Sequence, residues 1–257
     1  MIVVIDVGNT HTVLGIYKEG QLLDNWRIST STNRTRDEYI ILLQGFLRSL
    51  GANRKEVSGM MISCVVPPVL NELLGLASKY FHFRPFVVGP GIKTGLPILL
   101  DNPREVGADR IVNAVAAYQK HKQAMVIIDF GTATTFDCVS QKGEYIGGVI
   151  APGMHISMEA LCQRASKLPR VELVRPPEVV GRNTVHCMQS GIVYGYLSLV
   201  DGLVAKIKDE LKLDLLVIAT GGLAKVVDRE TQVIDEVDEF LTLHGLKYLY
   251  DLNTLNK

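Results

Sequence analysis

The sequence predicts an α/β protein made of two similar halves, each with a mixed β-sheet flanked by helices. Short apolar strands alternate with amphipathic helices along both halves of the chain. In addition, a strand that ends in an Asp-x-Gly turn occurs twice, at Asp6 and about 120 residues later at Asp129. Such internal repetition is typical of duplicated architectures. We therefore expect two domains, residues 1–107 and residues 108–257.

The N-terminal strands follow from short apolar runs bounded by glycine or polar residues. Ile2 to Ile5 form such a run, and Asp6 and a Gly-Asn-Thr turn follow it. The pattern resumes at Thr12, which predicts a strand–turn–strand hairpin. Further strands of this half are predicted at 22–29, 59–65 and 85–88.

Helix signals separate these strands. Thr35 and Glu38 have the spacing of a capping box, and apolar residues then repeat with helical periodicity from Tyr39 to Leu50. Pro67-Pro68 opens a second helix. The Gly- and Pro-rich segment 90–107 marks the crossing between the halves, and a helix is expected from about Ala108.

In the second half the strand series restarts at Met125. Strands are predicted at 125–130, 133–139 and 144–150, and a last one at 215–219 runs into Thr220-Gly-Gly. An irregular stretch is expected at 169–180, and helices at 188–211 and 236–252.

Composition excludes several classes of protein. Of the 257 residues 47% are apolar, and 27 Lys and Arg balance 27 Asp and Glu, so charge favours neither nucleic acid nor an anionic membrane. The sequence has no signal-peptide pattern and no apolar window of about 20 residues. Its cysteines are too widely spaced for a zinc site or a disulfide framework, so free thiols and a cytoplasmic location are expected. They are Cys64, Cys138, Cys162 and Cys187.

The repeated hairpin suits phosphate chemistry. Tight glycine turns leave backbone N–H groups to bind an anion, and a carboxylate at a strand end, such as Asp6, can hold Mg²⁺. Asp129, Gly131 and Thr132 could supply a second wall. The alternative is two ordinary hairpins in which Asp and Gly only satisfy turn geometry. The second copy and the Thr-Gly-Gly strand end favour a nucleotide cleft, whereas no GxGxxG and no GxxxxGK[ST] motif is present.

A second polar cluster, Gly107-Ala-Asp-Arg110, opens the predicted helix at the crossing. Asp109 there could orient a substrate hydroxyl and accept its proton late in phosphoryl transfer. Arg110 could bind a substrate carboxylate. The alternative, about as strong from the sequence alone, is that Asp109 caps the helix and Arg110 pairs with a surface acid.

Taken together, these motifs resemble the type III pantothenate kinases of the actin/Hsp70/sugar-kinase superfamily. The matching stretches run in family order over nearly the whole chain: 6–10, 107–110, 129–135, 147–153, 167–169 and 183–184. Residues 26–30 and 37–38 also resemble the family, and we assign them a structural role. Leu100 departs from the family, where an aromatic residue is frequent, and Cys64 stands where serine is frequent; we expect Cys64 to serve packing.

The resemblance implies two ribonuclease-H-like (actin-like ATPase) halves with the active-site cleft between them. It implies ATP-dependent phosphorylation of pantothenate to 4'-phosphopantothenate, the first step of coenzyme A biosynthesis. It also implies Mg²⁺ with ATP, a monovalent cation (K⁺ or NH₄⁺), and a homodimer whose pantothenate site is completed across the subunit interface.

Site residues follow from the same resemblance, position by position. The ATP-binding residues would be Asp6, Val7, Gly8, Asn9, Thr10, His11, Thr12, Val13 and Thr132. The pantothenate-binding residues would be Gly107, Ala108, Asp109, Arg110 and Thr184, with Asp109 as the proton acceptor. Asp129 would hold the monovalent cation, and Asp6 would hold Mg²⁺ through the phosphates. Thr184 would serve the active site of the partner subunit.

Two other functions stay open. Another kinase of the superfamily, or a polyphosphate phosphatase, would keep the hairpins without needing Gly107-Ala-Asp-Arg110 beside the Gly147–Gly153 motif. A non-catalytic actin-like scaffold or gene-expression accessory protein would be favoured by loss of the proton acceptor, but Asp109 is present.

Overall fold

The computed structural model describes residues 1–254, and the chain begins with a mixed five-stranded sheet. The strand order is β3-β2-β1-β4-β5, in which β1 pairs antiparallel with β2 and parallel with β4. The strands are β1 (Ile2–Val7), β2 (His11–Lys18), β3 (Gln21–Ser29), β4 (Gly59–Cys64) and β5 (Phe86–Val87).

Helices cover both faces of this first sheet. The helices are α1 (Arg36–Ser49), α2 (Pro67–Leu76), α3 (Ala108–His121) and, at the end of the chain, α7 (Leu241–Thr254). Alternate residues of β1, such as Val3 and Ile5, enter a core with Leu43 of α1 and Leu73 of α2. Helix α7 packs on β1 and β4.

The predicted capping box of α1 is present. The Thr35 N–H donates to Glu38 Oε2 at 2.8 Å, and the Glu38 N–H donates to Thr35 Oγ1 at 3.4 Å. The hydrogen bond from the Thr35 backbone, followed by that from its hydroxyl, lowers the pKa of the Glu38 carboxyl. The helix therefore starts where the sequence predicts it.

The second sheet repeats the topology of the first. Its order is β10-β9-β6-β7-β8, with β6 antiparallel to β7 and parallel to β9, just as β1 is to β2 and β4. The strands are β6 (Met125–Phe130), β7 (Ala133–Val139), β8 (Tyr145–Pro152), β9 (Leu216–Gly221) and β10 (Glu236–Val237). The predicted class, two halves each with a mixed sheet flanked by helices, is confirmed.

Three helices belong to the second sheet: α4 (Met154–Arg164), α5 (Thr184–Leu211) and α6 (Ala224–Asp228). The expectation that no apolar window of about 20 residues exists needs correction, since α5 is long and apolar enough to span a membrane by length and composition, the one such helix within residues 1–254. Its residues Val200 and Val204 are nonetheless buried in the core against β6 and β9. One face of α5 thus packs into the core of this half, and 33% of its most apolar 18-residue window is buried.

Two predicted helices need correction. The last helix was predicted at 236–252 but begins at Leu241, because Glu236 and Val237 pair with β9 as a short parallel strand. The long helix begins at Thr184 rather than at 188, because Asn183 caps it by accepting the His186 N–H at 2.9 Å. Helices α4 and α6 were not predicted.

The compact units of the chain differ from the predicted domains 1–107 and 108–257. One unit contains residues 1–120 together with the C-terminal segment from Phe240, and the other contains residues 121–239. Contacts between α3 and α7 explain why both helices belong to the first unit. Thr242 Oγ1 donates to Asn113 Oδ1 at 2.7 Å, and a Cβ on Gly245 would lie 2.4 Å from the Val112 carbonyl oxygen.

Candidate active site

The turn between β1 and β2 is the first predicted phosphate-binding hairpin. Asp6 is half-buried near the end of β1, whereas Asn9, Thr10 and His11 are exposed. The Gly8 N–H donates to the His11 carbonyl at 3.0 Å, which closes the turn. A ligand can therefore reach the turn residues. The remaining predicted ATP-binding residues are buried or half-buried on the strands: Val7, Thr12 and Val13.

A serine lies beside Asp6 on the neighbouring strand. Ser63 is in register with Asp6 in the parallel pair β1–β4, so both side chains stand on the same face of the sheet. Ser63 is fully buried, and its hydroxyl has no hydrogen-bond partner among residues 1–254. A buried hydroxyl without a partner is costly. This position next to a carboxylate therefore suits a water molecule or an ion.

Cys64, the next residue, has a structural environment. Its thiol donates to the Val66 carbonyl at 3.2 Å, and the Val66 N–H donates back to the sulfur at 3.3 Å. Burial raises the pKa of the Cys64 thiol, and the neighbouring Asp6 charge raises it further. Because the thiolate is the reactive form, this cysteine is a poor nucleophile.

Asp109 lies in the first turn of α3. Its Oδ1 accepts the Arg110 N–H at 2.8 Å, and the first helical hydrogen bond runs from the Ile111 N–H to the Gly107 carbonyl. A Cβ on Gly107 would stand 2.5 Å from Asp109 Oδ1, so a glycine at 107 leaves the room that the carboxylate occupies. The glycine and the aspartate of this motif are therefore in direct contact.

The hairpin between β6 and β7 places Asp129 in the position that Asp6 has in the first sheet. Asp129 is half-buried, Gly131 and Thr132 are exposed, and the Gly131 N–H donates to the Ala133 carbonyl at 3.1 Å. A Cβ on Gly221 at the end of β9 would lie 2.5 Å from Asp129 Oδ1. Gly221 also has a φ of +91°, which disfavours any other residue.

The glycine-rich β8 supports the same turn. The Gly153 N–H donates to the Thr132 carbonyl at 3.0 Å. A Cβ at this position would lie 2.3 Å from that carbonyl oxygen and 2.5 Å from the Gly131 oxygen. The last glycine of the Gly147–Gly153 motif thus allows close backbone contact with the predicted ATP-binding Thr132.

Asp137 is a buried carboxylate that sequence reasoning did not single out. It is fully buried on β7, where Thr135 Oγ1 donates to Oδ2 at 2.9 Å and the buried Tyr145 hydroxyl donates to Oδ1 at 2.6 Å. Thr135 is also in register with Asp129 across the β6–β7 pair. The signal available in the sequence was the charged Asp137, which follows Thr134 and Thr135 within a predicted strand.

Thr184, the predicted pantothenate-binding residue, is exposed as the first residue of α5. It lines a groove of about 390 Å³ between α4 and α5. The other lining residues are mainly apolar: Leu161, Leu168, Cys187, Met188, Gly191 and Ile192. Several residues close to Thr184 in the sequence are apolar and exposed, including Val179, Val180 and Val185.

Within residues 1–254, no group of three or more His, Cys, Asp or Glu side chains is arranged to hold a metal ion. An ion at Asp6 or Asp129 would therefore need further ligands from water, backbone oxygens or phosphate. The structure does bring predicted residues together in pairs. Asp109 contacts Gly107, and Asp129 is next to Gly221.

Comparison with known proteins identifies the family. The family profile described as type III pantothenate kinase matches residues 2–206. A type III pantothenate kinase from Pelobacter propionicus is 60% identical over 253 residues, which cover 98% of this chain and 100% of that protein. A type III pantothenate kinase from Myxococcus xanthus is 57% identical over 98% of this chain and 99% of its own length.

The chain belongs to the type III pantothenate kinase family.

Solved structures show the same fold at much lower identity. A candidate 2-dehydro-3-deoxygalactonokinase from Sinorhizobium meliloti has a TM-score of 0.59 at 11% identity and covers 99% of both chains. A conserved candidate Baf family transcriptional activator from Campylobacter jejuni has a TM-score of 0.61 at 16% identity and covers 98% of both. These likenesses concern the fold alone. Family membership favours the kinase over the scaffold and accessory-protein alternatives.

Proposed function

We propose that this protein transfers the γ-phosphoryl group of ATP to the terminal hydroxyl of pantothenate, which gives 4'-phosphopantothenate, ADP and a proton. The observation that carries this proposal is full-length membership of the type III pantothenate kinase family, together with an intact Gly107–Arg110 motif. The reaction would open coenzyme A biosynthesis, and the cytoplasm is the expected location. The four cysteines are free thiols, as suits a reducing compartment.

ATP would be held by the two hairpins. The exposed turn at Asn9–His11 supports a role in binding the phosphates, because tight turns present backbone N–H groups to anions. Thr132, exposed in the matching turn after β6, would also contact ATP. Val7, Gly8, Thr12 and Val13 would fix the shape of the first turn.

A divalent metal, which we take to be Mg²⁺, fits the surroundings of Asp6. The carboxylate and the buried, unpartnered Ser63 hydroxyl stand side by side, and both offer oxygen atoms to an ion or its water ligands. When bound, Mg²⁺ would neutralise negative charge on the phosphate oxygens. Asp6 would thus act on the metal rather than on the proton.

A monovalent cation, K⁺ or NH₄⁺, fits the surroundings of Asp129. Gly221 leaves open the space that a Cβ would fill 2.5 Å from Asp129 Oδ1. One carboxylate beside this space is enough to balance the charge of a monovalent cation. Asp129 would then bind the cation and take no proton.

Asp109 would be the proton acceptor. The Arg110 N–H holds Oδ1, which fixes the orientation of the carboxylate at the start of α3. In phosphoryl transfer a carboxylate so placed orients the attacking hydroxyl and takes its proton as the phosphoryl group is transferred. Gly107, Ala108 and the Arg110 side chain would complete the contacts with pantothenate, the guanidinium by pairing with its carboxylate.

The protein would act as a homodimer with a shared pantothenate site. Thr184 and the apolar groove between α4 and α5 are exposed in the single chain, which supports their burial against a second copy. Thr184 would then reach pantothenate in the active site of the partner subunit.

The direct test is ADP release by the purified protein with ATP, Mg²⁺ and K⁺. Pantothenate should stimulate release strongly, whereas glucose and acetate, tested as acceptors of other kinases with this fold, should not. Equal slow turnover with all three would overturn the proposal, and stimulation by glucose or acetate alone would assign the protein to another kinase activity.

A further inference from the structure

We propose that Thr30 is a positioning residue that holds the phosphate-binding hairpin in its ATP-binding shape. This inference rests on the proposed function, because it concerns the same hairpin. Thr30 lies directly after β3, outside the predicted ATP-binding residues, and its stretch was assigned only a structural role from the sequence. Its backbone and side chain contact the hairpin three times.

The first two contacts bind carbonyl groups of the turn. The Thr30 hydroxyl donates to the Gly8 carbonyl at 2.7 Å, and the Thr30 N–H donates to the Thr10 carbonyl at 2.9 Å. Both donors of this residue are therefore used on the turn between β1 and β2. Arg34 fixes the preceding residue, since its Nη1 donates to the Ser29 carbonyl at 3.0 Å.

The third contact joins two hydroxyls, Thr12 Oγ1 and Thr30 Oγ1, which lie 2.9 Å apart. A hydroxyl has one proton, and the Thr30 proton already goes to the Gly8 carbonyl, which can only accept. Thr12 must therefore be the donor of this hydrogen bond. Because Thr12 is fully buried and its proton is used in this way, its hydroxyl supports Thr30 rather than donating to a phosphate.

These contacts set the direction of the turn amides. In a trans peptide the C=O of one residue and the N–H of the next point in opposite directions, and the structure has no cis peptide within residues 1–254. Since the Gly8 and Thr10 carbonyls point at Thr30, the N–H groups of Asn9 and His11 point away from it. These two N–H groups are the donors that we assign to the ATP phosphates.

The test compares Thr30→Val, which keeps the shape but removes the hydroxyl, with Thr30→Ser, which keeps the hydroxyl. We expect Thr30→Val to raise KM for ATP about tenfold or more, and Thr30→Ser to stay within about twofold of the wild type. KM for pantothenate should not change. Thr254→Val is the matched control, because it removes a hydroxyl that donates to the Tyr250 carbonyl at 2.9 Å in the same unit.

A double-mutant cycle tests the Thr12–Thr30 pair. Thr12→Val alone should raise KM for ATP. In the double variant Thr12→Val/Thr30→Val, the factor by which KM rises should be smaller than the product of the factors for the two single variants, because both substitutions break the same hydrogen-bond network. If the two factors in KM for ATP simply multiply in the double variant, Thr12 and Thr30 do not belong to one hydrogen-bond network. Wild-type KM for ATP in a folded Thr30→Val protein would overturn the proposal.

The wild-type protein gives a test that does not depend on variant folding. On titration with a non-hydrolysable ATP analogue, we expect the backbone amide resonances of Asn9 and His11 to shift strongly in NMR spectra. If the analogue binds and the amide resonances of Asn9 and His11 do not shift, the assignment of these two N–H groups to the phosphates is refuted. A protein that binds ATP as expected but shows no pantothenate-dependent turnover would contradict the proposed function and leave the Thr30 inference supported.

Discussion

Replacing Gly221 by alanine would place a methyl group against the carboxylate of Asp129. The new Cβ would lie 2.5 Å from Asp129 Oδ1 and 2.7 Å from both the nitrogen and the oxygen of Phe130. Backbone atoms of a central strand cannot rotate away as a flexible side chain can. The Asp129 carboxylate or the end of β9 must therefore move.

The size of the effect has two parts. A residue with a Cβ at φ near +91° costs about 1–2 kcal/mol. For a chain of this size that corresponds to a fall in Tm of roughly 2–8 °C. The second part is the clash with Asp129, which should weaken the proposed monovalent-cation site beyond any loss of stability.

Gly20→Ala is the matched control, because Gly20 has a φ of +85° and a Cβ added there would meet no atom within 4 Å. Both variants should lose comparable stability from the backbone. We expect Gly221→Ala alone to need a higher K⁺ concentration for half-maximal ADP release, with Tm measured by calorimetry in parallel. If Gly221→Ala has the K⁺ dependence of the wild type and the Tm of Gly20→Ala, the predicted clash with Asp129 is refuted.

Three further predictions concern the first unit and the shared site. Asp109→Asn should reduce turnover about 10²-fold or more while ATP affinity, measured by calorimetry, stays near the wild-type value, because the proton acceptor acts on pantothenate; full turnover would remove Asp109 from the mechanism. Mixing the Asp109→Asn protein with a Thr184→Ala protein should restore part of the activity, since some mixed dimers would carry one intact site, and no gain over either variant alone would count against sharing across subunits. Because hydrogen bonds from Thr35 lower the Glu38 pKa from 4.5, their stabilising effect is complete above that pH and is lost as the pH falls through the lowered folded-state pKa. The Tm difference between the wild type and Glu38→Gln should thus shrink on acidification, and a pH-independent difference would contradict this origin.

Local patterns were sufficient for most elements. The strand before Asp6 and the capping box at Thr35 rest on interactions between residues close in the sequence, so both could be predicted. The start of α5 at Thr184 could also have been predicted, because Asn183 is a strong helix cap. The apolar periodicity instead predicted a start at residue 188.

Other elements depend on partners far along the chain. Glu236 and Val237 form a strand because the edge of β9 is available to them, which no local pattern indicates. Likewise, α3 joins the first unit through α7, although about 120 residues separate the two helices. The predicted start of the last helix and the predicted grouping of α3 therefore differ from the structure. Sequence spacing carries no information on which distant elements pack together.

The sequence by itself determined the duplicated hairpin, the α/β class and the family, because these depend on short motifs whose order is visible in the chain. Only the tertiary structure decided which residues support those motifs. Thr30 contacts the turn at Gly8, Gly221 lies against Asp129, and Ser63 is beside Asp6. These contacts join residues 22 to 92 positions apart, and they exist because the sheets bring strand ends together whose separation in the sequence carries no signal.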